Sequence, residues 1–238
     1  DTKSRVFLIR SLDGGRLWRT FTTIGYAAAD PDPGLPGRFS GFTVPSILKL
    51  PSGKLLVAMR GDTPNKPPFR PLHFSWSENR GASWSKPKPS RPHLFAVSPT
   101  LVSLDGGLLA CVVSQPQPAI TFSSDEGRTW SRGQAIAGAE IQTAGQVDLV
   151  KIGPDRLLML AAARSGGVHV FPISLKPKPA KTRKTAPPRN KSREVLKITH
   201  GKSVKLGPYG YINAATLGVS QSGVIAAAVG IRNWPGMH

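Results

Sequence analysis

The sequence predicts an all-β protein, a β-propeller of four-stranded antiparallel blades, and three observations carry that prediction. One octet occurs three times. An apolar hairpin pattern alternates with it. Gly and Pro number 25 and 23 in a chain of 238 residues, too dense a punctuation for helix interiors, which both residues break.

The octet is clearest at Ser123-Ser124-Asp125-Glu126-Gly127-Arg128-Thr129-Trp130, which reads S-x-D-x-G-x-T-W. Ser77-Glu78-Asn79-Arg80-Gly81-Ala82-Ser83-Trp84 reads S-x-N-x-G-x-S-W. The copy from Ser11 keeps Ser11, Asp13, Gly15 and Trp18 but has Leu17 in the Thr/Ser position. Each element of the pattern has a physical role in a tight hairpin. Ser and Asx side chains bond nearby backbone amides, Gly supplies a positive φ, and Trp buries a large flat surface. Strand-like stretches at 5–9, 72–76 and 119–122 lead into the three octets. The Trp is expected to begin the returning strand.

The second pattern is strand, turn, strand. Residues 45–57 and 147–159 match position for position in apolar pattern, 99–110 match with a shorter turn, and 214–227 form a looser fourth copy. These hairpins are apolar on both faces, as buried inner strands are. Alternating the two patterns gives an outer half-blade at the start, blades over about 43–90, 97–135 and 145–200, and an inner half-blade at the end. The octet starts lie 66 residues apart (Ser11 to Ser77) and then 46 apart (Ser77 to Ser123), a repeat length that suits radially arranged sheets. A flat sandwich would not place one octet at the same point of three successive units; the outer hairpin at 168–174 has lost it.

Composition narrows the function classes. At 39% hydrophobic the chain is too apolar for wholesale disorder, and no apolar run reaches the ~18 residues of a membrane helix. Cys111 is the single cysteine and the five histidines are scattered, so neither a disulfide framework nor a cysteine or histidine metal site is expected. No acidic cluster resembles a calcium cage, and no cofactor is implied. The net charge is +19. Residues 176–205 hold eleven Lys or Arg against Glu194 alone, with too little apolar surface to offset the entropy of ordering. This stretch reads either as a disordered, solvated insertion or as a contact for polyanions; no aromatic residues interleave the charges as base-stacking surfaces would.

The octets resemble the Asp boxes, or BNR repeats, of the sialidase superfamily, and the order of the two hairpin types resembles it as well. The resemblance implies one sialidase-like propeller domain over 1–238. About four blades' worth are present of the family's six, so a partial chain is expected, with self-association one way to cover open blade faces. It implies that Ser11, Asp13, Gly15, Trp18, Ser77, Asn79, Gly81, Trp84, Ser123, Asp125, Gly127 and Trp130 are structural. It further implies an exo-α-sialidase type of chemistry on a terminal acidic sugar of a glycan or glycoconjugate, with a Tyr nucleophile, an Asp acid/base and arginines on the sugar carboxylate. Secretion or a periplasmic location also follows from the family; no signal peptide is visible in these residues.

Carried over by residue, the match is incomplete. The family's Phe-Arg-Ile-Pro falls on Phe42-Thr43-Val44-Pro45, with Thr43 in the arginine position and Arg38 the nearest upstream substitute. Asp62, in Met59-Arg60-Gly61-Asp62, matches the acid/base Asp, and Arg60 is placed to reach an anion. The Glu position falls on Gln146 or Ser98, and the nucleophile position on Asn213, with Tyr211 two residues earlier on the same strand face. Arg164 and Arg232 follow inner strands and complete the candidate clamp. The alternative reading is a non-catalytic propeller that binds a glycan or a protein and has lost these residues.

Overall fold

The computed structural model describes residues 4–26, 41–62, 72–114, 117–136, 143–163, 167–177, 196–200, 204–205, 212–219 and 225–231. These residues form strands and turns, with a single 3-10 turn at Asp105–Gly107. A first hairpin pairs β1 (Arg5–Arg10) with β2 (Arg19–Tyr26). A four-stranded sheet follows, ordered β3 (Gly41–Lys49), β4 (Leu55–Asp62), β5 (Leu72–Ser77), β6 (Lys88–Pro89). The next sheet has the same meander of β7 (Thr100–Ser103), β8 (Leu109–Val113), β9 (Ala119–Ser123) and β10 (Gln134–Ala135). The fourth contains β11 (Thr143–Gly153), β12 (Arg156–Ala163), β13 (Val168–Pro177) and β14 (Leu196–His200), with β15 (Val204–Lys205) also paired to β13. A last hairpin joins β16 (Ile212–Val219) to β17 (Ile225–Ile231). All described pairings between named strands are antiparallel.

The sheets are fanned. The first strands β3, β7, β11 and β16 are successive neighbours, as innermost strands are around a propeller axis. Hydrogen bonds join them: Leu101 N–H donates to Ser46 Oγ (3.0 Å) and Thr100 Oγ1 donates to the Val147 carbonyl (3.3 Å). The chain is therefore an all-β partial propeller, as its repeats predict.

The core consists of slabs between sheets, which explains why the inner strands are apolar on both faces. Side chains alternate across a strand. Along β4, Val57 and Met59 face Val6, Ile24 and Phe42 of the preceding slab, while Leu56 and Ala58 face Leu109 and Cys111 of the next. Along β8, Cys111 and Val113 face back and Ala110 and Val112 face forward, toward Met159 and Phe171. Cys111 is filler in this packing; burial pushes its thiol well above the ordinary range.

The octets form the turns after β1, β5 and β9. In each, the Ser hydroxyl donates to the Asx side chain and accepts the Gly amide: Gly15, Gly81 and Gly127 N–H lie 2.8, 2.8 and 2.9 Å from Ser11, Ser77 and Ser123 Oγ. The same Asx oxygen accepts the amide of the seventh residue, Leu17, Ser83 or Thr129, at 3.0, 2.8 and 2.9 Å. Gly15, Gly81 and Gly127 adopt φ of 90°, 86° and 84°, the conformation for which the sequence demands glycine. One expectation needs correcting. Trp18 directly precedes β2, but Trp84 and Trp130 stand ahead of the return strands β6 and β10, which begin only at Lys88 and Gln134 and contain two residues each. Outermost strands this short, one of them Lys88-Pro89, leave little edge for another chain to pair with.

The fourth sheet carries no octet. Its outer position is filled by β14 and β15, both paired to β13. The basic stretch is thus strand at Lys176–Pro177, Leu196–His200 and Val204–Lys205, narrower as an insertion than its composition suggests; residues 178–195 lie outside the described ones.

Candidate functional site

The meander sorts the blades into two ends. The octet turns and the β3–β4 and β7–β8 turns share one end. The starts of β3, β7, β11 and β16 and the ends of β4, β8, β12 and β17 share the other. Arg60 and Asp62 lie in β4 at this second end, paired in register with Thr43 and Gly41. The other candidates attach to the same strand ends in sequence: Arg38 precedes β3, Tyr211 precedes β16, Arg164 follows β12 and Arg232 follows β17. Those four lie outside the described residues, as does the side chain of Asp62.

Arg60 is the best-defined member. Half-buried, its guanidinium donates from Nε to Thr43 Oγ1 (3.1 Å) and from Nη1 to the Val97 carbonyl (3.4 Å), bridging the β3–β6 and β7–β10 sheets. Buried hydroxyls stand nearby in sequence and register: Ser98 precedes β7, and Ser114 Oγ accepts the Val97 amide (3.0 Å). The strand opposite Arg60 is distorted. The β3–β4 register shifts between Thr43 and Ser46, and Val44 has φ of +48°, a left-handed conformation that a β-branched residue adopts at a cost of about 1–3 kcal/mol. A bulge of this kind re-aims neighbouring side chains. Thr43, in the position the sequence resemblance gives to an arginine, serves here as a hydrogen-bond partner that orients one.

Three interactions were missed in the sequence. Val97 holds Arg60 through its backbone, which carries no residue signal. Ser85 and Ser131, the residue after each Trp, accept the amides of Trp76 and Phe122 (3.0 Å each), while Ser75 and Thr121 donate to the carbonyls of Ser85 and Ser131 (2.7 and 2.6 Å). The signal for these was present, since both serines and both hydroxyl partners repeat at equivalent positions. Arg19 and Ile9 replace them in the first copy. Among the described residues, no group of three or more His, Cys, Asp or Glu is placed to hold a metal ion, and no helix is long and apolar enough to cross a membrane.

The fold and its axial end define a class, a partial β-propeller of antiparallel blades, and comparison with solved structures narrows it to the sialidase fold. The chain is similar to the intramolecular trans-sialidase of Ruminococcus gnavus, with TM-score 0.63, 14% identity, and coverage of 95% of this chain and 46% of that one. It is similar to a protein of unknown function from Dyadobacter fermentans at TM-score 0.63 and 14% identity, covering 99% of this chain and 66% of the other. The NanB sialidase of Streptococcus pneumoniae aligns at TM-score 0.56 and 12% identity over 93% of this chain and 50% of its own. The chain thus spans about half the length of the sialidases it matches. No protein-family model and no curated protein matches the sequence.

Proposed function

We propose that the protein is a sialidase-like glycoside hydrolase that binds a terminal acidic sugar at the axial end of its blades. The observation that supports this best is Arg60, a half-buried guanidinium oriented by Thr43 and Val97 beside a strained bulge. A forked, permanently charged donor suits a sugar carboxylate. Arg60, with Arg38, Arg164 and Arg232 from neighbouring strand ends, holds the carboxylate. Tyr211 attacks the anomeric carbon through its phenolic oxygen, releasing the phenolic proton to solvent, as Asp62 gives its proton to the departing glycosidic oxygen. Water then displaces the tyrosyl oxygen, Asp62 taking the water's proton and the departing phenolate regaining its own from solvent, so configuration is retained. A phenolic nucleophile avoids the repulsion a carboxylate would meet from an anionic sugar, and sialidases are exceptions to the paired-carboxylate scheme for that class.

The test is release of a fluorogenic leaving group from a sialoside. Tyr211→Phe abolishes release, and Arg60→Ala lowers kcat/KM by roughly 10–100-fold, the worth of one charge-assisted hydrogen bond. Release unaffected by Tyr211→Phe sinks the mechanism.

A second reading, a non-catalytic glycan- or protein-binding propeller of Asp-box type, is favoured by Thr43 at the arginine position and by Ser98 and Gln146 at the glutamate position. Saturable binding of sialyllactose without turnover by the wild-type protein decides for it. Polyanion contact through residues 176–205 is a separate activity whose affinity falls steeply with salt.

A further inference from the structure

A cavity of about 550 Å³ lies at the rim, along the outer strands of the β3–β6 sheet and against the third octet turn. Its volume is within the ~300–1,000 Å³ of small-molecule sites. Phe74 and Trp76 form its aromatic wall. Phe74 is fully buried and stacked on Trp130 with centroids 5.0 Å apart. Trp76 is half-buried, and its indole N–H is committed to the Glu126 carbonyl (2.8 Å). Its polar use is therefore fixed, leaving the ring as a rigid hydrocarbon surface.

The charges around the cavity are unequal. Lys54 bridges Glu78 (3.1 Å) and Glu126 (3.7 Å), tying together the two sheets that flank it. Lys88, Arg91 and Arg128 also line it. These three are exposed, and no ion pair engages them among the described residues. Four cations thus face two carboxylates already shared by Lys54. Such a rim attracts an oxyanion, and two arginine forks suit a carboxylate or a sulfate.

We propose that this groove is a second binding site, for an acidic saccharide. A pyranose ring packs its C–H face on Trp76 while its carboxylate or sulfate takes the Arg91 and Arg128 guanidinium groups, with Lys88 adding long-range attraction. The site does not depend on the axial one: it shares no residue with it and requires no chemistry.

Calorimetric titration at low ionic strength tests the proposal. The probes are sialyllactose and a hyaluronan tetrasaccharide, which carry carboxylates, and a chondroitin sulfate tetrasaccharide, which adds sulfate; lactose and sodium sulfate are the comparators. At least one acidic saccharide binds, and which probes bind identifies the source of the oxyanion. Arg91→Ala combined with Arg128→Ala, both on exposed side chains, weakens Kd by about ten-fold or more; Lys88→Ala alone weakens it less and steepens no salt dependence. Arg60→Ala leaves this binding intact, so failure here and failure at the axial site read out separately. The proposal is overturned if no acidic saccharide binds at millimolar concentration, if the double variant binds as the wild type does, or if lactose or sulfate alone binds as tightly.

Discussion

Asp13, Asn79 and Asp125 occupy one position in three turns, and their environments grade the same hydrogen-bond pattern. At Asp13 the Ser11 hydroxyl, followed by the Leu17 amide, holds the carboxyl below its ordinary value. At Asp125 burial pushes the carboxyl up, but bonds from the Thr129 hydroxyl and amide and from Ser123 outweigh it, and the net shift is downward. A depressed folded-state value means that Asp125 stabilises the fold above its unfolded value, about 3.9, and that this contribution is lost as pH falls through the folded value. Asn79 meets the same geometry without a charge, its Oδ1 accepting Ser83 N–H and its Nδ2 donating to Ser83 Oγ, both at 2.8 Å. Asp125→Asn is therefore expected to fold, and to flatten the acid limb of stability below about pH 4, measured as urea midpoint against pH. An unchanged acid limb would show that Asp125 carries none of that dependence.

At the scale of the element, the octet is a complete turn only where the residues on either side of it cooperate. The second and third copies add Ser85 and Ser131 after the Trp and Ser75 and Thr121 before the octet, closing the β5–β6 and β9–β10 connections where the outermost strands are too short to do so. Their central glycines also seat a leucine. A methyl group on Gly127 would come within 2.7 Å of Leu56 Cδ2, and one on Gly81 within 2.5 Å of Leu8 Cδ2, whereas at Gly15 only Trp18 of the same turn lies within 4 Å. Gly127→Ala combines left-handed strain with overpacking, about 2–4 kcal/mol. Gly15→Ala has the strain alone, about 1–2 kcal/mol. Chemical denaturation of the two variants checks the order; equal losses would mean that Leu56 yields without cost.

At the scale of the whole molecule, the fan decides what each repeat is worth. The second and third octets present their glycine and tryptophan to the preceding sheet: the second meets Leu8 of β1 and the third meets Leu56 of β4. The Thr22 hydroxyl in β2 donates to the Gly81 carbonyl (2.7 Å) and accepts the Trp84 indole N–H (3.1 Å), stitching the first hairpin to the next sheet. The first octet meets no sheet among the described residues. Trp18 is 57% exposed where Trp130 is 3% exposed, and Leu12 and Leu17 are 84% and 52% exposed. Yet both indoles make the same bond to the octet glycine carbonyl, at 2.9 and 3.0 Å. Trp130→Ala is expected to cost about 3–5 kcal/mol and Trp18→Ala about 1 kcal/mol or less, compared by urea unfolding in this chain. A Trp18→Ala loss as large as that of Trp130→Ala would mean that the first turn is covered in solution.

The sequence alone determined the repeat, the strand pattern and the two-faced apolar hairpins, because turn chemistry and period-two burial are local physics visible in a single stretch of chain. Asp13, Gly127 and the alternation along β4 and β8 were legible for that reason. Only the tertiary structure decided which copy of the octet is buried, that Thr43 and Val97 orient Arg60, and that Trp76, Arg91 and Arg128 share one groove. The contacts of Val97 with Arg60 and of Arg128 with the groove join successive sheets, brought together by the fan about the axis, and no spacing within one repeat encodes them.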